Sequence, residues 1–321
     1  MVKSAAFLFA RKQEFDFLMS STQPTHSQAN SGVINAVLAY MMWGFAPLYF
    51  KLLDSVGASE ILVHRIVWSS VLLLVIVFVI KKGPQFIQVI TNKKQLSRLL
   101  LTATILATNW YLFIWAVNND YLLDASLGYY INPLLNVALG IIFLGERLRK
   151  WQGVAVGLAV VGVLIQVVML GTLPIISLVL AGTFGVYGLL RKKLHVDSFV
   201  GLLVESLVML PIALIFWQFF IASPTSNMME NTWALNLTLI AAGIVTTAPL
   251  LCFTAAAKRL TLATLGFFQY IGPSIMFLLA TFMYQEPLHP AKLATFAFIW
   301  AALVIYSLDS LRARRQKRAK N

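Results

Sequence analysis

Tyr130-Ile131-Asn132-Pro133 returns 140 residues later as Tyr270-Ile271-Gly272-Pro273. At the same offset Glu146 meets Glu286 and Leu148 meets Leu288. Glu60–Trp68 (EILVHRIVW) lies over Gly201–Met209 (GLLVESLVM) at an offset of 141, with Leu62/Leu203, Val63/Val204 and Val67/Val208 identical. Trp43-Gly44 falls on Phe184-Gly185 at that offset as well. Apolar sequences match by chance, so one pair alone says little. Three pairs of corresponding segments that agree to within a residue describe an internal repeat.

The repeat is written in long apolar runs. A membrane helix needs about 20 mostly apolar residues to cross roughly 30 Å of hydrocarbon. Runs of that kind predict helices at 33–53, 58–80, 98–117, 122–144, 151–170, 173–191, 199–222, 234–257, 263–284 and 292–311. Ten spans divide into five and five. An odd number per half turns the second copy upside down relative to the first. Such inverted repeats share a pseudo-two-fold axis in the membrane plane, with a substrate site near the midplane where the halves meet. The expected fold is an all-α membrane protein with one five-helix repeat over 33–170 and another over 173–311. A disordered cytoplasmic extension is expected at 1–32 and a basic cytoplasmic tail at 312–321. Ala5–Ala10 is too short for a signal-peptide core, and Arg11 and Lys12 lie on its wrong side. Met19 is an alternative start to Met1.

Loop charge gives the orientation. Of 25 Lys and Arg, 22 fall in the two end segments and the alternate loops that share their side. Lys51 and Lys292 are on the other side, and Arg65 is inside a span. Positive-inside asymmetry then places both termini in the cytoplasm of a bacterial inner membrane. Composition agrees. The 321 residues are 59% apolar and 12% charged, with a mean hydropathy of +0.80. Soluble domains carry about 25% charged residues, so lipid must be the solvent for much of this chain. The net charge of +13 could suggest a nucleic-acid partner. Its arrangement in short blocks between apolar runs excludes that. The single cysteine, Cys252, sits in an apolar run and is read as packing. It permits no intrachain disulfide and no cysteine metal site. No metal or cofactor is expected.

Ionisable groups inside spans are expensive and carry a functional hypothesis by default. Glu60, His64 and Arg65 open the second span, with Glu60 and His64 on one helical face. Glu205 lies roughly 9 Å along the seventh. The repeat pairs His64 with Glu205, and either could take up a proton. Alternatively, Glu60 and Arg65 satisfy each other or nearby backbone, and Glu205 caps or locks a packed helix. Pro133 and Pro273 each remove a helical N–H at matching places, which lipid tolerates only beside protein or water. They read as hinges next to a cavity, or as packing kinks without gating. Pathway candidates are His64, Arg65, Asn109, Trp110, Tyr130, Asn132, Asn136, Tyr187, Glu205, Gln269 and Tyr270. The cavity would be lined by spans one to four and six to nine, with five and ten as outer struts. Thr246, Thr247 and Phe253 occupy the region of the eighth span that answers to Asn109 and Trp110. Gly153 and Gly157 form a GxxxG pattern that permits close helix contact, within the bundle or in a homodimer.

Longer stretches carry a family resemblance. They are WGFAPLYFK from Trp43, EILVHR from Glu60, NWYLFIWAVNN from Asn109 and SLGYYINPLLN from Ser126. GERL at Gly145–Leu148, YGLLRKK from Tyr187 and AAAKRLTLATLGFFQYIGPS from Ala255 complete the set. Between residues 33 and 311 the chain resembles the EamA family of the drug/metabolite transporter superfamily, in its RarD-like branch. The resemblance implies ten helices in an inverted repeat and alternating access for export or exchange of small organic molecules. It fixes no substrate and no ion-binding motif. Glu146 of GERL falls at a cytoplasmic helix end, where it is expected to fix the turn with Arg147 rather than touch cargo.

Other classes fit poorly. No GxSG serine supports an intramembrane protease, and Asp120 and Asp124 form no paired diphosphate site. No GxxxxGK[ST] phosphate loop supports an ATP-driven pump. Paired proline kinks favour a moving carrier over a channel, while a lipid flippase or a membrane receptor stays open.

Overall fold

The computed structural model describes residues 26–119, 121–171, 174–285 and 290–318. Its helices are α1 (His26–Phe50), α2 (Ala58–Val79), α3 (Gly83–Thr91), α4 (Lys93–Asn118), α5 (Leu122–Leu144) and α6 (Lys150–Leu170). They continue as α7 (Ile175–Lys193), α8 (Ser198–Phe220), α9 (Trp233–Arg259), α10 (Leu262–Gln269), α11 (Ile271–Leu278) and α12 (Pro290–Arg318). Among the described residues, ten segments are long and apolar enough to cross a membrane, the ninth being α10 and α11 together with the turns that follow.

Polar caps set several boundaries. Asn92 accepts from the amides of Lys94 and Gln95 at 3.1 Å each, which starts α4. Asp197 does the same for α8, and Thr232 and Thr261 for α9 and α10. These side chains satisfy amides that the first helical turn leaves without partners. Gly145 ends α5 with φ of +63°, a conformation that penalises any residue with a Cβ.

Several boundaries depart from the sequence expectation. α1 begins at His26, so 26–32 are helical rather than part of a disordered extension; residues 1–25 lie outside the described residues. Nothing in that stretch breaks a helix, and Gly32 lets it press on the end of α9. A Cβ at Gly32 would stand 2.8 Å from Arg259 Cβ. The basic tail likewise continues α12 through Arg318. α3 lies outside the ten expected spans: nine residues with Pro84 in the first turn and Val89 buried make an amphipathic helix too short to span. The ninth span breaks at Tyr270, just before Pro273, and loosens to a π-turn at Leu279–Met283. α5 passes through Pro133 unbroken, and Pro47, Pro211 and Pro249 also lie inside helices. Proline is therefore not peculiar to the repeated pair.

Helix neighbours are the same when the halves are exchanged. α5 packs on α7 as α10 and α11 pack on α1; α4 packs on α7 as α9 packs on α1; α4 packs on α8 as α9 packs on α2. Three pairs, α2 with α8, α5 with α10 and α6 with α12, are their own counterparts. Repeat partners also meet directly. The rings of Trp43 and Phe184 lie 5.9 Å apart, and the Tyr270 hydroxyl donates to the Tyr130 carbonyl at 3.2 Å. Equivalent residues can touch only near the axis that relates them.

α6 and α12 lean on each other at the periphery through Ala155, Ala159, Ile299 and Ala302. Gly162 allows the approach, since a Cβ there would stand 3.1 Å from the Thr295 carbonyl. Gly153 and Gly157 are on another face, where an added Cβ would meet nothing within 4 Å. They do not serve packing within the chain, because the alanine face of α6 takes that role.

Candidate transport site

A cavity of about 10 Å³, roughly the room one water needs, lies where four spans cross. Ser69 and Leu73 of α2, Leu106 and Trp110 of α4, Glu205 and Met209 of α8, and Thr246 and Thr247 of α9 line it. These helices are the second and third spans and their repeat counterparts, the seventh and eighth. Eight spans were expected around the pathway, and four of them line this cavity. In this arrangement α1, α5, α7 and α10 contribute no residue to the wall.

Arg65 is at the rim. Its Nε–H donates to Thr246 Oγ1 at 2.9 Å, and its guanidinium lies 4.9 Å from the centre of the Trp110 ring and 5.9 Å from that of Phe50. It does not pair with Glu60. That carboxylate turns to the loop after α8, where Ser223 and Thr225 donate to Oε2. His64, one turn from Glu60, sits 4.0 Å from Oε1 and accepts from Trp68 Nε1 at 3.1 Å. Its ring packs 4.8 Å from Trp217, so it points away from the cavity.

Glu205 faces the basic end of the bundle, held by three side chains from two helices, α4 and α7. Thr102 Oγ1 donates at 2.6 Å, the Tyr187 hydroxyl at 3.2 Å, and Arg191 Nη1 stands 3.5 Å from Oε1. Both charged side chains are fully buried. Gly201 makes this possible, because an ideal Cβ there would collide with the Arg191 guanidinium. Around the pair, Lys258 donates to the Val196 carbonyl and Lys192 to those of Ala257 and Leu260. Lys82 closes on Asp197 at 2.5 Å. Burial works to raise the Asp197 carboxyl, but the hydrogen bond and charge of Lys82 outweigh it and hold the group below its ordinary range. Together these contacts tie α4, α7, α8, α9 and the end of α2 at one end.

The amides form a separate network. Asn109 Nδ2 donates to the Leu180 carbonyl at 2.9 Å and to Thr183 Oγ1 at 2.8 Å. Asn132 Nδ2 reaches the Ala181 carbonyl at 2.6 Å, and Asn136 Nδ2 bridges Asn132 Oδ1 and Gln269 Oε1 at 3.0 Å each. Such bonds replace water as partners for polar groups in a lipid-facing bundle. Of the sequence candidates, Trp110 and Glu205 line the cavity, and Arg65 and Tyr187 reach groups on its wall. His64, Asn109, Tyr130, Asn132, Asn136, Gln269 and Tyr270 tie helices together elsewhere.

The model of the EamA-like transporter family matches residues 30–168, which is the segment from α1 to α6. A protein named "Protein RarD" from Salmonella typhimurium is 52% identical over 290 residues, covering 90% of this chain and 99% of that one. The chain belongs to the EamA-like transporter family, in its RarD branch. It is thus a multi-pass bacterial membrane transporter. An "Uncharacterized transporter" of Vibrio cholerae is 55% identical over 90% of this chain and 96% of its own length. A "Chloramphenicol-sensitive protein RarD" of Pseudomonas aeruginosa is 29% identical over 90% of this chain and 97% of its own. One solved crystal structure superposes with a TM-score of 0.69 at 18% identity, covering 87% of this chain and 98% of that one. It shares the fold.

In this EamA-family chain Glu146 does not fix its turn with Arg147. Its carboxylate accepts from the amides of Leu262 at 2.7 Å and Ala263 at 3.0 Å, capping α10 from the other half of the molecule. A carboxylate at a helix N-terminus satisfies free amides and the positive end of the dipole. Replacing Glu146 by Gln keeps one acceptor but loses the charge, and should cost about 1–2 kcal/mol. The thermal unfolding midpoint of purified protein in detergent would drop accordingly. An unchanged midpoint would show that the cap adds nothing.

Proposed function

We propose that the chain is a secondary carrier that moves a small organic solute across the bacterial inner membrane by alternating access, as exporter or exchanger. The observation that carries this reading is the composition of the cavity wall. It is built by two adjacent spans of one half and their counterparts from the other, so rocking the halves would open it to either face. The latch around Glu205 and Arg191 closes the basic end, and loop charge assigns that end to the cytoplasm. Transport without a nucleotide-binding loop is passive, an exchange, or coupled to an ion gradient. Arg191 already answers the charge of Glu205, which favours a latch over a proton relay.

Cysteine accessibility tests the motion. Ser206, on the cavity wall, is replaced by Cys in a Cys252→Ser background. A membrane-impermeant maleimide is then applied to right-side-out and, separately, to inverted vesicles. Labelling is expected from both sides. Labelling from one side alone, or from neither, rules out alternating access at this cavity.

A further inference from the structure

Arg65 is a cation within a membrane span that no carboxylate answers. Among the described residues it joins no ion pair, and its bond to Thr246 uses only Nε–H. The four Nη hydrogens make no hydrogen bond with the described chain. The nearby carboxylates are engaged with other groups. Glu205 is taken by Arg191, while Glu60 is occupied by Ser223 and Thr225 with His64 beside it. The Arg65 guanidinium therefore stands beside the cavity wall, bonded to Thr246, with no carboxylate in contact with it. A charge at this depth is costly and persists where it meets a partner or a pathway.

The surroundings of Arg65 are those of a binding site. Trp110 and Phe50 present ring faces to the guanidinium, at 4.9 and 5.9 Å. Thr247, next to Thr246 on the wall, has a buried Oγ1 with no hydrogen-bond partner. A planar guanidinium with both Nη groups free matches the two oxygens of a carboxylate or phosphate. We propose that Arg65 docks the anionic head of the transported solute, a carboxylate or phosphate ester on a planar or aromatic body, with Thr247 as second donor. This rests on the carrier reading. The closed cavity has no room for such a body, so docking accompanies its opening, with the body laid along Trp110.

Purified protein in neutral detergent is titrated with benzoate, phenyl phosphate and, as uncharged isostere of the first, benzamide, reading the thermal unfolding midpoint. At least one anion should raise the midpoint, as native-state ligands do, while benzamide should not. Arg65→Gln should weaken that anion roughly ten- to a hundredfold, and Arg65→Lys less. Arg65→Lys also guards against misfolding, since it keeps the charge. No shift with either anion, or equal shifts in wild type and Arg65→Gln, overturns the proposal. So does an Arg65-dependent shift given by anionic lipid vesicles when neither anion gives one. Counterflow of labelled benzoate in proteoliposomes is scored separately. Arg65-dependent binding without counterflow of the bound anion removes the carrier reading and leaves the site. Counterflow of benzamide that ignores Arg65 removes the site and leaves the carrier.

Discussion

Replacing Arg191 by methionine should cost about 3–5 kcal/mol of stability, because it strands Glu205 as a buried charge. Thr102 and Tyr187 would still donate to the carboxylate, yet neither carries the charge that balances it. Glu205→Met should be comparably harmful, since it leaves the guanidinium buried against Gly201. The double variant, with both replaced by methionine, should recover most of the loss. Desolvating two charges consumes much of what their attraction returns, so an apolar pair of similar volume is nearly neutral. Unfolding in detergent for the wild type, two singles and the double closes the cycle. Losses that simply add in the double variant would deny that the two residues act as a pair.

Gly243→Ala is the second large effect. The added Cβ would stand 2.6 Å from the Trp68 carbonyl carbon and 2.7 Å from its oxygen, backbone atoms that cannot rotate away. Separating α2 from α9 should cost about 1–3 kcal/mol. Transport should fall with stability, because Ser69 and Thr246 on these helices line the cavity and Ser69 bonds the Gly243 carbonyl at 3.3 Å. Gly153→Ala is the control, as its Cβ meets nothing within 4 Å. Alanine is a better helix former than glycine, so that variant should be neutral or slightly more stable. Equal stability of the two variants would mean that the α2–α9 contact yields freely.

Much of the architecture was legible because it follows from one-dimensional constraints. Lipid demands long apolar runs, and all ten predicted spans fall on observed ones with shifts confined to their ends. The repeat was legible for a related reason: Trp43 and Phe184, or Tyr130 and Tyr270, occupy equal places and meet at the axis. Three-dimensional partnerships were not. Arg191 stands in Arg191-Lys192-Lys193, a block indistinguishable from ordinary loop charge, and only its guanidinium folding back onto Glu205 makes it a latch. The one available signal was Gly201, a small residue placed to admit it. Glu146 caps a helix 116 residues away, which no local pattern announces. The nine residues of α3 are too few to stand out beside the spans.

The latch has no mirror image. At the offset of 141 that relates the halves, Arg191 answers to Phe50 and Glu205 to His64. The far end cannot form the same ion pair, so on the carrier reading proposed above the two ends of the molecule would be closed by unlike contacts. On that reading, cargo must supply through its own contacts whatever breaking the latch withholds.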